Sequence, residues 1–271
     1  MTLPAIARLE IRGVLRARWF AAAIALGGGV AGFFVLLASR ESSVVGFTGF
    51  GRVMGGVVQA SLLFVPLLAL FSTAQAVTGA RQQGMLEWYL SYPNGRERCF
   101  WALFLPRLGA VAGPVLLSVA LLALFAGAGV SPLLVASYLG LLGGQAFCFA
   151  SAGMLVSTLS RSPEQALLRA LVGWMATAVL VDFAVLGMML RWDLSPWMVF
   201  TLAGVNPVQA GRVAILAAVD PEMGILGPVG TWATVALGAP ATIAYGLGWP
   251  VLLGGALLAW ARFAFLRRDV I

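Results

Sequence analysis

From Leu133 to Leu159 the chain runs without one charged side chain, and several other stretches come close to that. A helix needs about 20 mainly apolar residues to cross a bilayer. Stretches of that order lie at 19–38, 53–77, 99–126, 133–159, 168–190 and 243–265, the last with an alternative start near Trp232. The chain therefore reads as an all-α polytopic membrane protein with six spans. Composition agrees. Hydrophobic residues make up 61% and charged residues 10%, against about 45–50% and about 25% in soluble domains. Mean hydropathy is +0.97. An ordinary soluble enzyme and a disordered chain are both excluded.

The charges that remain set an orientation. All 17 basic residues are arginine, against 10 acidic ones, for a net charge of +7. They punctuate the apolar runs instead of clustering on a soluble surface, which points to anionic lipid and topology, not to nucleic acid. With the N-terminus in the cytoplasm, the inner segments hold Arg8, Arg12, Arg16, Arg18, Arg81, Arg96, Arg98, Arg107, Arg161, Arg169, Arg262, Arg267 and Arg268. The outer ones hold only Arg40, Arg52, Arg191 and Arg212. Both termini are therefore expected inside, in a bacterial or archaeal inner membrane.

The single domain, 1–271, divides by loops. Residues 1–18 carry four arginines among apolar residues and lack a signal-peptide cleavage pattern, so an amphipathic elbow helix on the inner leaflet is expected. Segments 78–98 and 160–169 are cytoplasmic loops. Segment 191–241 is the largest extracytoplasmic piece, with a weakly apolar stretch at 207–219. Pro66, Pro106 and Pro114 fall inside spans, where neighbouring helices must satisfy the freed carbonyls.

Little in the sequence carries chemistry. Histidine is absent, so a His metal site, a Ser–His triad and a His base are impossible. Cys99 and Cys148 give no disulfide framework. Without lysine there is no phosphate-binding loop, and Gly27, Gly28 and Gly29 lie in a span, where helix packing explains them. Met188, Met189, Met198 and Met223 raise a Cu(I) reading, but Met188 and Met189 point about 100° apart on a helix, and packing is the favoured account. Trp19, Trp88, Trp101, Trp192, Trp197 and Trp249 read as an interfacial belt. Asp182 is the sharpest residue, an acid in the outer half of the fifth span. It is either a relay or substrate contact, or, as we favour, a hydrated carboxylate or one paired with Arg191.

The segment 84–96 is the most specific signal. A short apolar helix, MLEWYL, ends at Ser91, Tyr92, Pro93, Asn94 and Gly95, a firm stop and turn. Exposed Trp88 and Tyr89 on a cytoplasmic loop call for a partner or the membrane surface, and an ATPase groove would receive such a helix. Gly84, Leu86, Glu87, Leu90, Ser91, Pro93 and Arg96 resemble the coupling helix of type-2 ABC exporter permeases, which follows G-x-L-E-x-L-L-S-x-P-x-x-R. Where that family has acidic residues ahead of the helix, Ala80, Arg81, Gln82 and Gln83 stand here.

The resemblance implies six spans, an elbow helix and a homodimer on two ATPase subunits. ATP and Mg would sit on those subunits, and no cofactor on this chain. It also implies ATPase-coupling roles for Leu86, Glu87, Trp88, Tyr89, Ser91, Tyr92, Pro93, Asn94, Gly95 and Arg96. In the second loop the corresponding residues are Arg161, Ser162, Pro163 and Glu164. Stretches at 45–48, 64–70, 90–93 and 195–197, with Asn206, Pro207 and Arg212 in an N-P-x-x-x-x-R pattern, are similar to the NosY-type permeases. That branch implies a periplasmic accessory protein and a role in copper-site maturation of nitrous oxide reductase, in denitrification. The chain itself would catalyse nothing. The alternatives are an exporter permease for lipid, peptide or drug, and a non-transporting membrane anchor. A membrane enzyme or secondary transporter would need more intramembrane acids and bases than Asp182 alone.

Overall fold

A computed structural model describes residues 48–90, 95–126, 132–192, 194–220 and 222–267, together with isolated positions between 11 and 29. The expected elbow helix, the span 19–38 and the turn 91–94 lie outside the continuous described residues. Every element among the described residues is helical. We number them α1 (Thr48–Ala74), α2 (Ala76–Gln82), α3 (Met85–Leu90), α4 (Gly95–Ala126), α5 (Pro132–Leu159), α6 (Pro163–Met175), α7 (Val181–Arg191), α8 (Pro196–Val205), α9 (Pro207–Val219), α10 (Gly227–Ala236) and α11 (Ala239–Arg267). A π-helical turn, Ala176–Leu180, joins α6 to α7, so 163–191 is one long span, which keeps its name from the sequence order as the fifth span.

Four helical stretches are long and apolar enough to cross a membrane: Val58–Gln82, Leu133–Leu159, Pro163–Arg191 and Ala239–Arg267. The pair α8 and α9, bent by 118° at one residue, makes a fifth if counted as one broken span. The sequence-based six counted instead 19–38 and 99–126, the latter being the body of α4. The weakly apolar stretch at 207–219 is a buried helix. It is α9, and Pro207, Val208, Ala210, Gly211, Ala214, Ile215 and Ala217 are buried along it.

α5 is the central element, packed on α11, α1, α4 and α9. In lipid the helices gain little from leaving the solvent, so close packing and interhelical hydrogen bonds join them. α11 buries Thr242, Gly246, Pro250 and Gly254, four small or compact residues at a spacing of four. That spacing puts them on one face. A Cβ on Gly246 would meet Ala210 O and Ala214 of α9, and one on Gly254 would come within 2.9 Å of Cys148 Cα on α5. Gly153 of α5 lies equally close to Leu70 O and Thr73 of α1. There Thr73 Oγ1 donates across the seam to Ala150 O at 2.8 Å. Next to the proline in α1, Trp174 Nε1 donates to Leu63 O at 3.2 Å, one residue from the carbonyl that Pro66 frees.

Candidate functional site

The two loops that the sequence marks as coupling elements meet at one end of the bundle. α2 ends in a turn at Gly84, whose φ of +67 favours glycine, and α3 turns back against α2 and α4. Leu86 is 1% exposed and sits in the main apolar cluster. It therefore anchors α3 to its own bundle and does not face outward. Ser157 Oγ accepts from Val77 N at 2.9 Å, and Arg81 donates to Ser160 O at 3.2 Å. The second loop starts α6 through its local sequence: Ser162 caps the helix by accepting from Gln165 N, Pro163 takes the first position, and Gln165 Oε1 accepts from Arg161 N.

Arginines close the same end. Arg96 donates to Leu266 O at 2.9 Å and Arg169 to Leu159 O at 3.1 Å, each covering a carbonyl at a helix C-terminus. Arg262 grips Glu97 with two nitrogens, at 2.8 and 3.1 Å. That contact, and then the Trp101 indole, hold the Glu97 carboxyl below its ordinary value. Among the described residues, Gln82, Gln83, Glu87, Arg161 and Glu164 are exposed around the Gly84 turn, and all are polar. Trp88, Tyr89, Ser91, Tyr92, Pro93 and Asn94 fall on residues whose side chains or positions are not described.

A second polar group lies deep in the bundle, and sequence reasoning caught only part of it. α8 and α9 break at Asn206, and the carbonyls around the break are met from two helices, α11 and α5. Tyr245 Oη donates to Gly204 O at 2.7 Å, Trp249 Nε1 to Val205 O at 2.8 Å and Gln145 Nε2 to Pro207 O at 2.6 Å. Asn206 works in both directions. Its Oδ1 accepts from Val208 N at 3.0 Å, capping α9, while its Nδ2 donates to Thr177 O in the π turn at 2.5 Å. Thr177 lies about 21 Å along the span from Pro163, so the break reaches well into the bundle. A lone Gln in a charge-free span and the pair Asn206-Pro207 were the available signals.

Just beyond, Asp182 is paired, and not with Arg191. Arg212 Nη1 donates to Asp182 Oδ2 at 2.9 Å. Gln209 Nε2 donates to Asp182 Oδ1, and Gln209 Oε1 accepts from Arg212 at 2.9 Å. Gln209 and Arg212 stand three apart on α9, hence on one face. Of the methionines behind the copper reading, Met223 packs with Ala217 and Ala233 in a small apolar cluster.

Apolar helical spans around one central helix, a broken helix pair reaching into the bundle and an arginine-closed end define a multi-pass membrane protein. The chain matches the ABC-2 family transporter protein over residues 4–270, and it belongs to that family. It is similar to the probable ABC transporter permease protein NosY of Pseudomonas aeruginosa, 27% identical over 276 residues covering 98% of each chain. It is also similar to the same-named protein of Stutzerimonas stutzeri, 30% identical over 99 residues, 36% of each chain. The family is one of transporter permeases, and membership implies an ABC ATPase partner.

Proposed function

We propose that two copies of this chain form the membrane part of an ATP-driven complex with two ATPase subunits. ATP and Mg bind those subunits, while the permease carries motion to the extracytoplasmic side, toward a periplasmic partner. By likeness to the NosY proteins, that partner system is the maturation of the copper site of nitrous oxide reductase. The observation that carries the reading is the meeting of segments 78–98 and 160–169 at one end, with Glu87, Arg161 and Glu164 exposed on it. Such a polar patch, rimming a short helix with Trp88 and Tyr89, fits a protein groove. We place the pairing of the two copies on the fifth span, which is the least covered of the candidate spans. The most apolar window of 163–191 is 6% buried, against 67% and 61% in 58–82 and 133–159. The same exposed face favours a second reading, export of a lipidic cargo at the interface between copies; ATP-dependent lipid transfer by the reconstituted complex tests it.

Two measurements check the main reading. Replacing Trp88 and Tyr92 together by alanine removes aromatic anchors that in interfaces contribute about 2 kcal/mol or more each. Pull-down with matched membrane levels should then recover much less ATPase, or ATP hydrolysis should lose its coupling to the permease. Equal recovery with unchanged ATP-driven activity refutes the coupling role. Topology is checked by reporter fusions. Those after Arg98 and Ile271 should report cytoplasm, and one near Asp220 the outer side. A cytoplasmic signal near Asp220 overturns the orientation.

A further inference from the structure

The fifth span starts at the coupling end and finishes beside the broken pair α8–α9. It is poorly buried: α7 has no buried residue, and the π turn buries only Ala178. Apolar packing therefore does little to fix its outer half to the rest of the chain. Polar ties take that part. Thr177 O is held by Asn206 at 2.5 Å, and Asp182 by Gln209 and Arg212 of α9. The first tie falls inside the π turn, where the regular i to i−4 ladder is already interrupted and a helix can change its path at low cost. Its other end is the single residue at which α8 and α9 bend by 118°.

We propose that Asn206 is a positioning residue that transmits displacement of the fifth span to the broken pair α8–α9. In this arrangement the π turn is the flexible point and the Asp182–Arg212 contact the second hold. This rests on the ATP-driven reading above. Displaced at Pro163, the rigid helix α6 carries Thr177, two residues past its end, with it, and the amide of Asn206 obliges the junction of α8 and α9 to follow. The side chain's other bond, the cap on Val208 N, ties the same residue to the start of α9.

The two bonds of Asn206 can be separated. Serine keeps a good helix cap but is too short to donate to Thr177, whereas alanine loses both. The test uses the full complex with its ATPase, with Cys99 and Cys148 replaced by alanine. Spin labels are placed in two pairs, 183 with 252 and 202 with 252, at Phe183, Leu202 and Leu252, all exposed. Distances are compared without nucleotide and with a trapped ATP analogue. In the unmodified complex both pairs should change. With Asn206→Ser the pair 183–252 should still change while 202–252 loses its change, with assembly and ATPase recovery unaltered. A full 202–252 response in Asn206→Ser overturns the proposal, leaving Asn206 a cap whose loss matters only in Asn206→Ala. If neither pair responds in the unmodified complex, the ATP-driven reading itself fails and the proposal with it.

Discussion

Gly153→Val is expected to abolish assembly of the bundle, while Gly143→Val on the same helix leaves it intact. At Gly153 a new Cβ meets Leu70 O and Thr73 Oγ1 of α1 and comes within 3.2 Å of Ala74 N. Two of these atoms are backbone, so relief needs α1 and α5 to move apart. Overpacking typically costs about 1–3 kcal/mol where side chains can adjust. Here they cannot, and separation also breaks the Thr73–Ala150 hydrogen bond. A cost above about 3 kcal/mol is expected, a large share of the roughly 5–15 kcal/mol that stabilises an ordinary domain. At Gly143 nothing lies within 4 Å, so valine there meets open space. Yield of monodisperse protein and its thermal midpoint in detergent read both variants. Equal behaviour would show that the α1–α5 seam is not set by this close approach.

The spans were legible because a run such as 133–159 has one plausible solvent. Helix starts were legible too in principle, since Ser162-Pro163, Ser195-Pro196 and Asn206-Pro207 each place a polar residue before a proline, and each begins a helix. What the sequence could not display was which faces meet. Thr242, Gly246, Pro250 and Gly254 form a stripe only once the helix is assumed, and nothing in their spacing names α9 and α5 as neighbours. Charge counting placed Arg212 and Arg107 among the loops, because that rule treats every arginine as a topology signal. In the fold Arg107 donates to Ser72 O at 3.0 Å and Arg212 to Asp182, so both also serve contacts between helices. Leu86 shows the same limit within the coupling segment. A short amphipathic helix has an inner and an outer face, and only the tertiary contacts tell which residue belongs to each.

Asp182 was matched to Arg191 because the two share a helix, yet nine positions along a helix is about 13 Å, beyond the reach of an ion pair without bending the side chains along the surface. The break at Asn206 offers a nearer cation, since it brings α9 alongside α7 and presents Gln209 and Arg212 together. Charges inside a membrane bundle are costly when unpaired. Asp182→Asn alone should therefore strand the Arg212 guanidinium, and Arg212→Gln alone should strand the carboxylate. Both groups keep some exposure, 23% and 30% of their side chains, so the penalty is below that of a fully buried pair. Each single change is expected to cost roughly 1–2 kcal/mol. The double variant, neutral at both positions and still able to form amide hydrogen bonds through Gln209, should cost less than the two together, with a coupling of about 1 kcal/mol. Arg191→Gln supplies the comparison: combined with Asp182→Asn it should be additive. Unfolding midpoints of the five variants and the unmodified protein in one detergent measure both cycles. Coupling between positions 182 and 191, with none between 182 and 212, would restore the same-helix pairing and remove the second hold of the fifth span on α9.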